Sequence, residues 1–505
     1  MLDVDSSTVI AIVVASYIIA FFLAFGVGAN DVANSFGTSV GSGVLTIRQA
    51  CFLATIFEIS GAALLGYKVS ETVRLGVFDI ELYKDEEQTL MLGYLSALIG
   101  GAIWNLAATF LGLPISGTHS IIGAVLGFTL VPKGFSGMKW NNLLWVTSSW
   151  VISPFLSGII SIIITFFIIK FITEKPEPLE SGLLSLPFFY GATILVNLFT
   201  ILHDGPSFLY LDQLTWWAAL LIASFFAISV GLVVWFVVVP MQRKRIHDSA
   251  DFMQKDVCQE KQPIDNIAEE KTNGAVIAME SMTLKSTHDV ESAKIEAENC
   301  TANEKMNHSG GDAFNSEKPE IATLFKYLQI LTACFGSFAH GANDVSNAIG
   351  PLIAVVLIHQ EGNVFQTGQS PYYLMIYGGI GISVGLIVWG SKVIKTIGSD
   401  LTTITPSTGF SIEIGSAATV LLASKAGIPI STTHCKVGSV ICVGAFRARA
   451  LGYREPKKSV DWKLFGNIAM AWILTVPLTA LFSAASMYIL TSLVPSQKSQ
   501  PSSFF

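Results

Sequence analysis

Nine long apolar runs constrain this chain more strongly than any other feature of its sequence. A bilayer core of about 30 Å is crossed by a helix of about 20 apolar residues. Because lipid offers no hydrogen-bond partner to the backbone, a segment that crosses it must be a helix or part of a closed barrel. Runs of this length are typical of helices, so we predict an all-α polytopic membrane protein. The runs are 8–27, 50–67, 90–112, 143–170, 183–203, 215–240, 322–340, 371–393 and 465–493.

The composition excludes the other broad classes of protein. Hydrophobic residues make up 51% of the chain and charged residues only 13%, whereas a soluble domain contains about 25% charged residues. That leaves too little polar surface for a soluble fold and too much apolar surface for a disordered chain. The chain has no basic excess, so no nucleic-acid partner is expected.

The charged residues are concentrated in one insert. Residues 241–320 contain 10 Lys/Arg and 16 Asp/Glu, so they contribute −6 of the chain's net −7. A segment of this composition cannot bury enough apolar surface to fold compactly, so we predict a disordered linker at 241–321. It separates a first repeat (1–170) and additional membrane helices (171–240) from a second repeat (322–505).

Basic residues beside the apolar runs predict the orientation in the membrane. Arg243, Lys244 and Arg245 directly follow the run at 215–240, and six Lys or Arg residues lie in 447–463. Lys and Arg collect in cytoplasmic loops, so the insert should be cytoplasmic and both termini outside. The two N-glycosylation sequons, at Asn299 and Asn307, lie in the insert and oppose this orientation.

Two motifs occur twice, in the same order. The string GANDVAN at 28–34 recurs as GANDVSN at 341–347, 313 residues later, and PISGTH at 114–119 recurs as PISTTH at 429–434, 315 residues later. The first copy is entered from outside and the second from the cytoplasmic insert, so the two copies should be inverted. Inverted repeats with interrupted helices around a midplane site are typical of secondary transporters.

The first motif carries carboxylates at membrane depth. An ionisable residue there costs about 2.5–3.5 kcal/mol on insertion scales. Carboxylate and amide oxygens suit a small hard cation, although an acid that only caps a helix is an alternative. Gly28 and Gly341 should let the backbone break and offer carbonyls. The shorter apolar pieces are too short or too interrupted by Gly and Pro to span cleanly, and they are 32–46, 115–131, 345–358, 411–425 and 430–446. The candidate coupling-ion residues are Asn30, Asp31, Asn34, Glu58, Asn343, Asp344, Asn347 and Glu413.

The second motif has the pattern of a helix start at an anion site. Proline favours the first turn of a helix, where free N–H groups and the positive end of the helix dipole attract anions. Hydroxyl donors would hold an anion without a permanent charge. The alternative is helix packing or a bond to the preceding turn. The candidate anion-binding residues are Ser116, Gly117, Thr118, Ser431, Thr432 and Thr433.

Four basic side chains near these motifs are candidate supporting residues. His119 and His434 occur in both copies, whereas His340 and Lys436 have no basic counterpart. We expect each histidine to orient a hydroxyl or carboxylate, or to make one hydrogen bond in the core. Lys436 should compensate a buried acid or extend towards the membrane surface.

Two strings, 37–41 and 381–385, satisfy the GxSxG pattern of hydrolases. Neither follows a predicted strand, so small-residue contacts between helices are the better interpretation. An intramembrane hydrolase that uses His and Asp remains the alternative from a different class. We predict that the chain is not an enzyme and has no cofactor.

The strings GANDVANSFGTSVGSG and GANDVSNAIGP, with PISGTH and PISTTHCKVGS, resemble the inorganic phosphate transporter (PiT) family. The long insert is similar to that of the eukaryotic branch. The resemblance implies sodium-coupled symport of inorganic phosphate by alternating access, at the plasma membrane. It also implies about twelve membrane helices, two re-entrant hairpins and a homodimer. By position, it places the family's essential acids on Asp31, Glu58, Asp344 and Glu413.

Two alternatives use the same residues. A proton-coupled phosphate carrier would need no sodium, and a transporter of sulfate or another tetrahedral oxyanion would recognise a similar shape.

Most eukaryotic members of the family carry an early outside glycosylation site, and this sequence has none there.

Overall fold

The computed structural model describes residues 6–203, 205–206, 209–248, 317–390, 393, 400–450 and 459–494. Within these ranges the chain is helical apart from its connections, and the extended pairing is one bridge between Phe78 and Met138. The predicted all-α class is confirmed. The helices are α1 (Ser7–Gly41), α2 (Ile47–Leu65), α3 (Tyr67–Leu75), α4 (Glu87–Phe110), α5 (Gly117–Lys133), α6 (Trp140–Ile168), α7 (Pro178–Leu202), α8 (Trp216–Val233), α9 (Pro319–His340), α10 (Ser346–Glu361), α11 (Tyr372–Trp389), α12 (Pro406–Lys425), α13 (Thr432–Ala450) and α14 (Trp462–Leu493).

The outside of the helical bundle is apolar. Trp145, Phe155, Phe225 and Ile473 are each more than 60% exposed, which a water-facing surface does not tolerate over so wide an area. Ten helical segments of the described chain are long and apolar enough to cross a membrane. The protein is therefore a multi-pass membrane protein, while the count of about twelve helices and the two re-entrant hairpins stay predictions.

The predicted insert lies mostly outside the described residues, and so do both sequons. At its edges the chain is helical, because the segment that begins at Trp216 continues to Asp248. An ion pair of 2.6 Å between Arg243 and Glu180 holds this end of the helix against α7.

The predicted helix breaks at the GAND motifs are wrong. Helix α1 runs through 28–34 without interruption, and α9 continues into α10 through a π-helical turn, Gly341–Val345. The apolar pieces 32–46 and 345–358 are thus largely the ends of long helices. The interruptions lie at the other motif, where residues 111–116 separate α4 from α5 and residues 426–431 separate α12 from α13.

The glycines of the GAND motifs serve a close approach of helices instead. A Cβ at Gly28 would lie 2.0 Å from the carbonyl oxygen of Ile382, and a Cβ at Gly341 would lie 2.1 Å from that of Glu58. Gly385 and Gly61 meet Phe25 and Phe338 in the same way, each at 1.9 Å. Helix α1 therefore crosses α11, and the α9–α10 segment crosses α2, with backbones in contact.

Further contacts recur between the two copies. Gly100 of α4 packs on Ser483 of α14, and Gly415, 315 residues after Gly100, packs on Ser161 of α6. Since 161 and 483 differ by 322, α6 and α14 are also corresponding helices. Each copy thus packs on the other through a closely packed glycine.

Gly341→Val should prevent folding, because the new side chain would collide with the backbone carbonyl oxygen of Glu58, which no rotamer change can move. Gly466→Val is the matched control, since a Cβ at Gly466 in α14 has open space around it. Fluorescence-detected size exclusion of detergent extracts should show a monodisperse peak for Gly466→Val and none for Gly341→Val. A Gly341→Val protein with the parental peak and melting temperature would contradict the assigned crossing.

Candidate functional site

The four motif copies meet at one buried place. Asp31 lies on α1, Asp344 lies in the π-helical turn, and both are 1% exposed. An ideal Cβ on Gly117 would lie 3.2 Å from Asp31 Oδ2 and 3.5 Å from Asp344 Oδ1. Both carboxylates therefore face the first turn of α5, which is the positive end of that helix.

The carboxylates are held by side chains of the other motif. Asp31 Oδ1 accepts a hydrogen bond from Asn34 Nδ2 at 3.1 Å, and it lies 3.1 Å from Thr433 Oγ1. Asp344 Oδ2 accepts one from Thr432 Oγ1 at 2.7 Å. Asp31 Oδ2 is buried and has no partner among the described residues. One carboxylate oxygen thus remains available beside the α5 start.

The two copies exchange equivalent hydrogen bonds. Asn34 donates to Thr433 Oγ1 at 2.9 Å, and its counterpart Asn347 donates to Thr118 Oγ1, the counterpart of Thr433, at 2.8 Å. The Thr433 hydroxyl donates to the Ile115 carbonyl at 2.8 Å, and the Thr118 hydroxyl donates to the carbonyl of Ile430 at 2.7 Å. Each helix interruption is thereby fastened to the opposite copy.

Asn30 and Asn343 bind backbone rather than the carboxylate site. Asn30 Oδ1 accepts from the Ile115 N–H, and its Nδ2 donates to the Leu113 carbonyl, both at 2.9 Å. Asn343 Nδ2 donates to the Ile430 carbonyl at 2.8 Å. These asparagines satisfy backbone groups that the interruptions leave without helical partners.

The starts of α5 and α13 are capped by serine. Ser116 Oγ accepts from the His119 N–H at 3.2 Å, and Ser431 Oγ accepts from the His434 N–H at 3.1 Å. The preceding N–H groups, those of Gly117, Thr118 and their counterparts, belong to the first turn and have no intrahelical acceptor. Two helix starts thus present backbone donors close to the carboxylates.

The two duplicated histidines form a stack of rings. His119 lies 3.7 Å from Trp150 and 4.5 Å from His434, and His434 lies 3.8 Å from Trp472, between ring centroids. His434 Nδ1 also lies 3.0 Å from the Trp150 carbonyl oxygen. The histidines therefore pack the two copies together. Sequence reasoning missed the tryptophans, although they are 322 residues apart on corresponding helices.

His340 joins two of the predicted acids. Its Nδ1 lies 2.6 Å from Glu58 Oε2, and its Nε2 lies 3.2 Å from Asp344 Oδ2. Ser35 and Ser337 donate to Glu58 Oε1 at 3.2 and 3.0 Å. The structure thus brings Glu58 next to the aspartates through one histidine. The two serines are further site residues, and neither belongs to one of the doubled motifs.

Glu413 is held separately. Its Oε2 accepts from Lys436 Nζ at 2.7 Å, and its Oε1 accepts from the Thr38 hydroxyl. Both charged side chains are buried, with exposed fractions of 0% and 3%. Lys436 therefore pairs with a buried acid rather than extending towards the membrane surface, and both oxygens of Glu413 have a partner.

The chemistry of the site suits a hard cation. Asp31, Asp344 and His340 each offer a ligand atom, and these atoms lie within 4.8 Å of one another. Asn34 Oδ1 and Asn347 Oδ1 are also buried without a partner among the described residues. Unpartnered acceptor oxygens next to carboxylates are what Na⁺, Mg²⁺ or Ca²⁺ would take, whereas softer metals prefer sulfur and nitrogen.

Comparison with known proteins gives consistent matches. A sequence model of the phosphate transporter family matches residues 27–483. Sodium-dependent phosphate transporter 1-B of Danio rerio is 39% identical, over 90% of this chain and 91% of that protein. Sodium-dependent phosphate transporter 1 of Homo sapiens is 37% identical, over 90% and 92%. A solved structure titled "The sodium-dependent phosphate transporter" is 33% identical, with a TM-score of 0.73 over 96% of this chain and 100% of that one.

Thr433→Val should destabilise the protein more than the same change in a neighbouring helix. It removes the hydrogen bonds to Asn34 and to the Ile115 carbonyl and the contact with Asp31, and each buried polar group left unpaired costs about 1–3 kcal/mol. Thr419→Val is the control, because the similarly buried Thr419 bonds, among the described residues, only to Gly415 of its own helix. We expect the melting temperature in detergent to fall by several degrees more for Thr433→Val. Equal melting temperatures would show that the contact between the copies contributes nothing.

Proposed function

This chain belongs to the phosphate transporter family, and we propose that it carries inorganic phosphate across the membrane together with sodium ions. The observation that carries this proposal is the position of Asp31 and Asp344, two buried carboxylates against the first turn of α5. The family is one of transporters, so the hydrolase alternative falls away.

Electrostatics explains why the anion would need a cation here. Two unit charges 4 Å apart interact by about 4 kcal/mol at an effective dielectric constant of about 20. A phosphate at the start of α5 would meet the repulsion of Asp31 and Asp344 together. Sodium ions bound to these carboxylates neutralise them and leave the positive end of α5 to attract the anion, so the anion binds only after, or together with, the cations.

Cation binding would also release a hydroxyl donor. Thr432 donates to Asp344, so its hydrogen points at the carboxylate rather than at an anion. When sodium takes over that oxygen, the Thr432 hydroxyl is free to turn towards phosphate. The backbone N–H groups of Gly117, Thr118 and the α13 start complete a set of neutral donors, which can release the anion again.

The predicted site residues fall into three groups according to their contacts. We assign Asp31, Asp344, Asn34 and Asn347 to the cations, because their oxygens face the site. His340 and Glu58 tune the charge at Asp344 from behind. Asn30, Asn343, Ser116, Ser431, His119 and His434 hold the helix starts in place.

The two helix interruptions differ in the packing at their tips, which supports alternating access. The Thr72 hydroxyl donates to the Gly427 carbonyl at 2.7 Å and fastens the α12–α13 interruption to α3. No described residue lies within 4 Å of a Cβ placed on Gly112, the equivalent point between α4 and α5. In our proposal the site opens on the side of the α4–α5 interruption, whose tip at Gly112 has open space around it.

The finer cellular setting rests on the charge distribution. Basic residues around 243–245 and 447–463 support a cytoplasmic insert and outside termini. We propose a plasma-membrane homodimer in this orientation. A cysteine introduced at Gln497, labelled in intact cells by a membrane-impermeant maleimide, tests the C-terminal side.

Uptake of labelled phosphate into proteoliposomes tests the proposed function. An inward sodium gradient at fixed pH should drive accumulation, and replacement of sodium by choline should abolish it. Uptake that follows a proton gradient without sodium would favour the proton-coupled alternative. Full competition by sulfate at equal concentration would favour a general oxyanion transporter.

Asp31→Asn and Asp344→Asn should each lower sodium-driven uptake about 100-fold or more, because a loss of about 3 kcal/mol of cation binding corresponds to that factor. The control is Asp461→Asn, an exposed cap at the start of α14 that asparagine can replace. Surface expression, measured by biotinylation, should be the same for all three variants. Parental uptake by either site variant would overturn the assignment of the aspartates.

A further inference from the structure

The ion pair between Glu413 and Lys436 distinguishes the second copy from the first. Its partners are 2.7 Å apart and lie on neighbouring helices, α12 and α13. Thr38 of α1 donates to the remaining oxygen of Glu413. Both carboxylate oxygens of Glu413 have a partner, and one of these partners carries a full positive charge, whereas Asp31 Oδ2 has no partner among the described residues.

The corresponding positions of the first copy are both apolar. Counting back 315 residues places Leu98 at the position of Glu413 and Ile121 at that of Lys436. The register is supported by Gly100 and Gly415, which pack on equivalent serines two residues further along. Leu98 and Ile121 are as buried as the ion pair, at 0% and 1% exposure. The fold thus accepts an apolar pair at this point of the architecture.

The stability of the fold therefore does not explain why an ion pair is buried at this point. Desolvation of two charges offsets their attraction, and well-packed apolar residues of similar volume are often at least as stable. The pair must have another use, and its surroundings indicate which one.

Glu413 belongs to the same polar face as the proposed cation site. Asp31, Asn34, Ser35 and Thr38 follow one another at the i, i+3, i+4 and i+7 spacing that lies along one side of α1. Asp31 and Asn34 face the cation site, Ser35 donates to Glu58, and Thr38 donates to Glu413. The corresponding stretch of α10 is apolar beyond Asn347, with Ala348 and Pro351 at the places of Ser35 and Thr38.

We propose that Lys436 is a tethered cation that takes the place of one coupling ion at Glu413. Its ammonium group neutralises this carboxylate throughout the cycle, so only the remaining acids exchange cations with solution. Lys436 thereby limits how many sodium ions accompany each phosphate. The proposal rests on the proposed function, since it concerns the ratio of the two transported species.

Lys436→Met tests this directly. Methionine keeps the length and apolar stem of the side chain but leaves Glu413 with an uncompensated charge, which must bind a mobile cation. The charge moved per phosphate, measured as current and labelled phosphate uptake in the same voltage-clamped cell, should rise by one. The dependence of this extra charge on external sodium or on pH identifies the ion.

Lys436→Arg is the matched control and should keep the parental ratio, because it retains a tethered charge. A parental ratio in Lys436→Met would overturn the proposal and leave the proposed function intact. An absence of sodium-driven phosphate current in the unmodified protein would overturn the proposed function first.

If Lys436→Met does not reach the surface or does not transport, a second variant tests the proposal. Glu413→Leu with Lys436→Ile copies the first repeat and removes both charges together. We expect this double variant, purified in detergent, to bind the parental number of labelled sodium ions, because no cation exchanges at this position in either protein. A changed number would mean that Glu413 carries a coupling ion despite Lys436, and failure of the double variant to fold would make the pair a purely structural element. Either result would overturn the proposal.

Discussion

Two buried carboxylates that face the positive end of a helix create the constraint on which the rest of this structure depends. Asp31 and Asp344 lie at the first turn of α5, where backbone N–H groups attract an anion that the carboxylates repel. In the proposed mechanism cations resolve this conflict, because they pair with the carboxylates and leave the helix end to the anion. Coupling between the two transported species would then follow from charge, without a separate signal between two distant sites.

The interlocked packing keeps these opposing charges together. Glycine-mediated crossings bring α1 against α11 and the α9–α10 segment against α2, so each aspartate is carried on a helix that the other copy supports. Threonines of each interrupted segment bond to the opposite copy. A movement of one interruption must therefore change the environment of both aspartates. Departures from this symmetry, such as Thr72 on Gly427 and Lys436 on Glu413, are where the two copies can differ in their roles.

The sequence predicted the membrane class, the doubled site and its family because apolar length and repeated strings are local features. It also marked both aspartates, since a charge inside an apolar run stands out. The hydrogen-bond partners of the buried acids were not predictable, because Ser35, Thr38 and Ser337 reach the acids through tertiary packing. In the sequence they resemble ordinary helical hydroxyls. The helix break expected at Gly28 was wrong for a related reason. Glycine is equally compatible with a break in a helix and with the close approach of two helices, and only the crossing helix decides between them.

Equilibrium phosphate binding to the purified protein, measured at graded sodium with choline as the balancing ion, tests the central claim most directly. If sodium must neutralise Asp31 and Asp344, the apparent affinity for phosphate should fall about 100-fold or more when choline replaces sodium, in line with about 3 kcal/mol of repulsion. By linkage, phosphate should tighten sodium binding by the same factor. A phosphate affinity that does not change with sodium would contradict the electrostatic account.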